Sequence, residues 1–183
     1  KDILFVGNLM ERKRPLTFVR AAKYVVEDLS EQVIFTMVGE ERQPMGDAVR
    51  HEIRKLGIEA HLKLVGAQSD IEPWYAGADL VVAPAVNEGL GRTLIEASIL
   101  GVPVVASRHG GHVEILSDGE TGTFFEPDNP RDLADRIIYC LSNIDVAKKM
   151  ALSAQRDCLE RFSPTLHADR IASIYASLLG RSF

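Results

Sequence analysis

Six short apolar runs, at 3–7, 33–39, 61–65, 79–83, 103–106 and 122–125, punctuate the chain, with stretches of helical periodicity between and after them. The helical stretches fall at 15–28, 45–56, 71–76, 91–100 and 130–143, and two more follow at about 146–160 and 165–179. The early apolar runs are continuous rather than alternating, as in strands covered on both faces. Strands that alternate with helices pair in parallel through right-handed crossovers. The pattern therefore predicts an α/β fold: a Rossmann-like, doubly wound parallel sheet of six strands with helices on both faces. Turn chemistry agrees with the boundaries. Pro15 suits a first helical position, Gly57 and Gly101 suit helix ends, and Asp128-Asn129-Pro130 starts a further helix.

With 183 residues, 46% of them hydrophobic, the chain can bury a sizeable core as one domain, and no repeat or linker divides it. A formal charge of −5 argues against a nucleic-acid partner, which selects for a basic face. No apolar run approaches the roughly 18 residues that span a bilayer. Cys140 and Cys158 lie in late helical segments without metal-ligand spacing, and read as free thiols in a reducing compartment. The chain passes from Lys1-Asp2 straight into a strand, with no signal peptide visible. It reads as a cytoplasmic piece of a larger protein.

Ligands of an open parallel sheet bind beyond the carboxyl ends of the strands. That rule gathers the loops 7–14, 39–43, 66–68, 84–92 and 107–113 on one edge. The segment Glu88-Gly89-Leu90-Gly91-Arg92-Thr93-Leu94-Ile95-Glu96 stands out among them. It follows a strand, passes through a glycine-containing turn and opens a helix, whose free N–H groups and positive dipole end receive an anion. Glu88 lies before that helix start. Glu96 lies five or six residues inside it, roughly 8 Å along the axis. Two carboxylates so placed bracket a phosphate and offer acceptors to a sugar on one side and a ribose on the other. The arrangement reads as a nucleotide-sugar site.

The ordered motifs resemble the C-terminal, donor-binding domain of the group 1 (family 4) retaining glycosyltransferases, one half of a GT-B protein. The matching pieces are Phe5-Val6-Gly7-Asn8-Leu9 with Lys13, Met37-Val38-Gly39-Glu40, Val65-Gly66, Ala83-Pro84, Glu88-Gly89-Leu90-Gly91 and Leu94-Ile95-Glu96-Ala97. Gly101-Val102-Pro103-Val104-Val105-Ala106, Gly110-Gly111 with Glu114, Thr121-Gly122, Phe162-Ser163 and Tyr175 complete the series. The resemblance implies that Glu88, Gly89, Leu90 and Gly91 face the donor sugar. It implies that backbone amides around Arg92, Thr93 and Leu94 hold the distal phosphate, and that Glu96 accepts the ribose hydroxyls. It also implies a basic pair after the first strand to neutralise the leaving diphosphate. Here Lys13 is present, but Asn8 stands after Gly7 where the family carries Arg. Either Arg12, Arg14 or Arg92 supplies the missing charge or the leaving group is less stabilised, since Asn offers only a neutral hydrogen bond. Glu88 and Lys13 are the catalytic candidates. Gly7, Gly39 and Gly66 are donor-binding candidates, with the loops 39–41 and 66–68 lining the nucleobase cleft mostly through backbone.

The remaining features have plainer readings. Gly110-Gly111 suits a tight turn after the fifth strand. His109 and His112, three apart, make no convincing metal set. Trp74 and Tyr75 read as core or interdomain contacts. The expected activity is metal-independent and cofactor-free transfer from a nucleoside-diphosphate sugar, completed by an N-terminal acceptor domain that this chain lacks. The base is open among UDP, GDP and ADP. The acceptor is open too, with a saccharide or lipid-linked saccharide of polysaccharide or glycolipid assembly compatible with a protein peripheral at the membrane surface. The alternatives are a sugar-nucleotide epimerase or hydrolase of the same architecture, and an inactive nucleotide-binding or scaffolding domain. A dinucleotide-dependent oxidoreductase lacks its Gly-x-Gly-x-x-Gly signature after the first strand.

Overall fold

The computed structural model describes residues 1–179. Six strands, β1 (Asp2–Val6), β2 (Ile34–Val38), β3 (Leu62–Gly66), β4 (Leu80–Ala83), β5 (Val104–Ser107) and β6 (Thr123–Phe125), form one sheet in the order β3-β2-β1-β4-β5-β6. Every pairing is parallel, with Ile3 opposite Phe35 on one side of β1 and opposite Leu80 on the other. The strand order reverses between β1 and β4. That reversal opens a crevice at their carboxyl ends, the usual ligand position of such sheets.

Among the described residues eight helices accompany the sheet: α1 (Pro15–Asp28), α2 (Met45–Leu56), α3 (Glu72–Ala76), α4 (Arg92–Ile99), α5 (His112–Ile115), α6 (Pro130–Ser142), α7 (Ile144–Arg161) and α8 (Pro164–Leu179). Alternate residues of each strand serve opposite faces, because successive side chains in a strand point opposite ways. Ile3 and Phe5 of β1 join one core with Phe18, Val19 and Val25 of α1, Val49 and Ile53 of α2, and Leu133 and Ile137 of α6. Leu4, between them, joins a second core with Tyr75 of α3, Leu94 and Ala97 of α4, and Ile115 of α5. In the first core Phe18 stands 5.5 Å from both Phe5 and Phe35, ring centre to ring centre. Burying each of these rings contributes about 2–3 kcal/mol. Helices on both faces of a parallel sheet are what the continuous apolar runs predicted. The helix expected over 91–100 is slightly shorter, because Gly91 caps it and Leu100 ends it.

Local chemistry sets the element ends. Pro15 opens α1, behind Arg14 in left-handed backbone at φ 51°. Asn129 caps α6 by accepting the Asp132 N–H. Gly57, also left-handed, closes α2. At the end of β2, Gly39 has φ +153°, and a β-carbon there would lie 2.1 Å from the Gly7 carbonyl oxygen. The neighbouring strand end approaches it closely, since Gly7 N–H bonds Val38 C=O and Gly39 N–H bonds Gly66 C=O. Among the described residues no helix is long and apolar enough to cross a membrane.

Candidate functional site

A single turn of 3-10 helix, Glu11–Lys13, interrupts the loop after β1 and turns two basic side chains toward the loop after β4. The Val86 N–H bonds the Arg12 carbonyl at 2.8 Å, which fixes the two loops against each other. Across this junction both cations reach one carboxylate oxygen. Lys13 Nζ lies 2.8 Å and an Arg12 guanidinium nitrogen 2.7 Å from Glu88 Oε2. The Glu88 side chain is 14% exposed. Burial pushes its carboxyl upward, but the Lys13 ammonium and Arg12 guanidinium outweigh that and hold it below the usual glutamate range.

Beyond Glu88 the chain turns into α4, whose first backbone bonds run from Leu94 and Ile95 N–H to Gly91 C=O. The N–H groups of Arg92 and Thr93 precede them and face out of the helix end. Thr93 Oγ1 ties that end to the Val6 carbonyl of β1 at 3.4 Å. Glu96, one turn further on, accepts a 2.8 Å hydrogen bond from the Tyr75 hydroxyl. Burial, then the charge and hydrogen bond of Glu96, push the Tyr75 phenol far above its ordinary value. The phenol therefore stays a proton donor, and it orients the carboxylate from below.

These groups meet in one cleft of about 430 Å³ in the β1/β4 crevice, lined by Gly7, Asn8, Arg12, Lys13, Glu88, Arg92, Thr93 and Glu96 with Val6, Met10, Arg42 and Ile71. Four cations therefore face two carboxylates in a protein whose net charge is −5. The local balance favours an anionic ligand.

The other residues singled out in the sequence stand around that lining. Leu90 turns to a neighbouring hollow of about 310 Å³ that shares Arg92 and Glu96. Leu94 is fully buried, so only its backbone is available to a ligand. Gly91 packs on His112, and Gly89 opens to free space. Gly39 and Gly66 form the strand ends beside the cleft. Asn8, in the place of the family's Arg, accepts the Glu40 N–H through Oδ1 at 3.1 Å and joins the loops after β1 and β2. Of the three candidate replacements for that Arg, Arg14 turns away to Asp128, Nε to Oδ1 2.7 Å. Arg12 and Arg92 stay in the cleft.

Two participants escaped the sequence reading. Arg42 reaches the cleft while paired with Glu40 at 2.7 Å. It directly follows the loop 39–41, which the sequence reading placed at the cleft mostly through backbone and which stopped one residue short of it. Tyr75 escaped because a buried aromatic on a short helix reads as core, which its ring is.

The architecture and the motifs have known counterparts. Residues 1–157 match the family model of glycosyl transferases group 1. The chain is 27% identical over 179 residues to the 2-deoxystreptamine N-acetyl-D-glucosaminyltransferase of Niallia circulans, covering 97% of this chain and 45% of that protein. It superposes with a TM-score of 0.92 on a glycosyltransferase from Rickettsia africae, at 30% identity, over 99% of this chain and 48% of the other. Anabaena Alr3699/HepE, solved in complex with UDP, gives a TM-score of 0.83 at 28% identity over 94% of this chain and 48% of its own. The chain thus spans about half the length of the relatives it matches. Family model, similar sequences and superposed folds agree across nearly all of the chain, and it belongs to the group 1 glycosyltransferases.

Proposed function

We propose that the cleft binds a nucleoside-diphosphate sugar and that this chain is the donor half of a retaining glycosyltransferase, completed by an N-terminal acceptor domain. One observation carries the reading: a single cleft joins Lys13, Arg12 and Glu88 from one side to Arg92, Thr93 and Glu96 from the other. The Arg92 and Thr93 N–H groups and the positive end of α4 receive the distal phosphate. Glu96, oriented by Tyr75, accepts the ribose hydroxyls. Lys13 and Arg12 neutralise the diphosphate as the bond between its oxygen and the anomeric carbon breaks and a bond to the acceptor oxygen forms. Arg12 takes the place that Asn8 leaves vacant. Charge in a partly buried cleft is the main source of rate here, and these cations supply it without a metal or cofactor. Glu88 positions the sugar. Retention is the stereochemical course that the family resemblance implies, and the acceptor is a saccharide or lipid-linked saccharide met on the cytoplasmic side of a membrane.

Calorimetric titration with UDP, GDP, ADP and their sugar conjugates tests the reading. One base is expected to give saturable binding, weakened about tenfold or more by Glu96→Ala, the scale of a lost hydrogen-bonded charge. Absence of binding to the folded chain and to the full-length protein overturns it.

A further inference from the structure

His109 and His112 line no part of the cleft, yet each grips the loop that carries Glu88. The Asn87 N–H donates to His109 Nδ1 at 3.1 Å, so that nitrogen must be unprotonated. Asn87 has φ 53°, a left-handed turn conformation that asparagine adopts more readily than most residues. It immediately precedes Glu88.

His112 has the opposite requirement. Its Nδ1 faces the Ser107 carbonyl at 3.2 Å and the Ser107 hydroxyl oxygen at 3.0 Å. That hydroxyl has already given its hydrogen to the Ala85 carbonyl. Both neighbours are acceptors, so Nδ1 carries the proton. The other edge of the ring lies against Gly91, where a β-carbon would stand 2.7 Å from Cδ2 and 3.2 Å from Nε2. His112 is only 1% exposed. Burial holds its imidazole below the ordinary range, and the charged or titratable groups acting on it are Glu88, Lys13 and His109.

Between the two rings the Gly111 N–H bonds the Glu88 carbonyl at 2.8 Å. The loop after β5 therefore holds the loop after β4 at Ala85, Asn87, Glu88 and Gly91. Its contacts fall before, at and after the carboxylate that meets Lys13. A buried histidine on a packed loop would serve as filler in either tautomer. These two serve only in opposite ones.

We propose that His109 and His112 are positioning residues for Glu88, an imidazole pair in opposite tautomers that sets the turn 87–91 and so the reading of the donor sugar. The inference rests on the donor-site reading above, and its test separates the two. The first arm needs no ligand: amide hydrogen exchange at Asn87 by NMR. In the wild-type chain this amide is expected to be protected. His109→Asn, whose Oδ1 replaces Nδ1, keeps the protection, and His109→Gln, whose oxygen lies where Nε2 was, loses it. An unprotected wild-type amide, or equal exchange in the Asn and Gln variants, overturns the proposal.

The second arm compares the affinity of the diphosphate with that of its sugar conjugate, using the nucleotide selected in the titrations above. The ratio of the two dissociation constants is expected to fall about fivefold in His109→Gln and in His112→Phe, as for one lost hydrogen bond, and to recover in His109→Asn. A ratio unchanged in His109→Gln while Asn87 exchanges faster also overturns it, because the imidazole would then hold the loop without serving the sugar. If the wild type binds no nucleotide, the donor-site reading fails and takes the role in sugar reading with it, while the exchange arm still reports on the turn.

Discussion

Glu88 and Glu96 are the same residue type eight positions apart, and the fold gives them opposite environments. Glu88 is held by two cations, Glu96 by a neutral phenol. Tyr75→Phe removes that phenol's hydroxyl and leaves the ring in the core. Nucleotide affinity is expected to drop about three- to tenfold in calorimetry, with thermal stability nearly kept, since a hydrogen bond to a charged group is worth about 1.5–3 kcal/mol and water replaces part of it. For Glu88 the consequence lies in acid stability. Its folded-state pKa is lowered, so the stabilisation from Lys13 and Arg12 is present in full above the ordinary carboxylate pKa and is lost as pH falls through the lower, folded value. Denaturant unfolding at pH 7 and pH 3 is expected to give a smaller pH difference for Glu88→Gln than for wild type. Glu88 and Glu96 could be picked out in the sequence because a strand, a glycine turn and a helix start frame them, whereas Lys13 was singled out through the family resemblance and Arg12 as one of three candidates beside it. The role of Tyr75 was not legible, for it depends on a contact between α3 and α4 that no local pattern encodes. The role of the imidazole pair was hidden for the same reason: the two rings meet Asn87 and Gly91, some twenty positions away.

At the scale of elements, the bounds of α1 and α2 coincide with the sequence reading, because Pro15 and Gly57 mark their ends through backbone geometry alone. The 3-10 turn at Glu11–Lys13 was read as loop. Its charged residues carry no apolar period, and only the pairing with Glu88 shows what the turn accomplishes. The packing of α1 concentrates on one side chain. Phe18 is wholly buried between Phe5 of β1 and Phe35 of β2. Phe18→Ala is expected to cost about 3–5 kcal/mol in denaturant unfolding, the transfer free energy of the ring plus the cavity left behind. Because α1 begins directly after the turn that presents Lys13, the same variant is expected to weaken nucleotide binding by loosening that turn. A titration of the folded fraction checks this.

The molecule as a whole is a sheet with one core on each face, and each core holds one thiol: Cys140 lies in the first, Cys158 in the second. Burial raises both thiols above the ordinary cysteine range, so little reactive thiolate forms in the folded protein. Labelling with a thiol reagent is expected to be slow at both positions in buffer and to rise at one shared denaturant concentration. Separate midpoints would mean that the two layers unfold independently. The site, too, is a property of the whole, since Lys13 and Arg12 follow β1, Arg42 follows β2, and Arg92 with both carboxylates follows β4. Glu88 is itself the partner of Lys13 and Arg12. An anion that takes those two cations must displace a resident one, and a chloride or a simple carboxylate offers them nothing better than Glu88 does. The diphosphate of the proposed donor carries more charge, and in drawing the cations to itself it would release Glu88. On the donor reading proposed above, the hand that grasps the sugar opens only once the phosphates are seated, and a free sugar finds it closed.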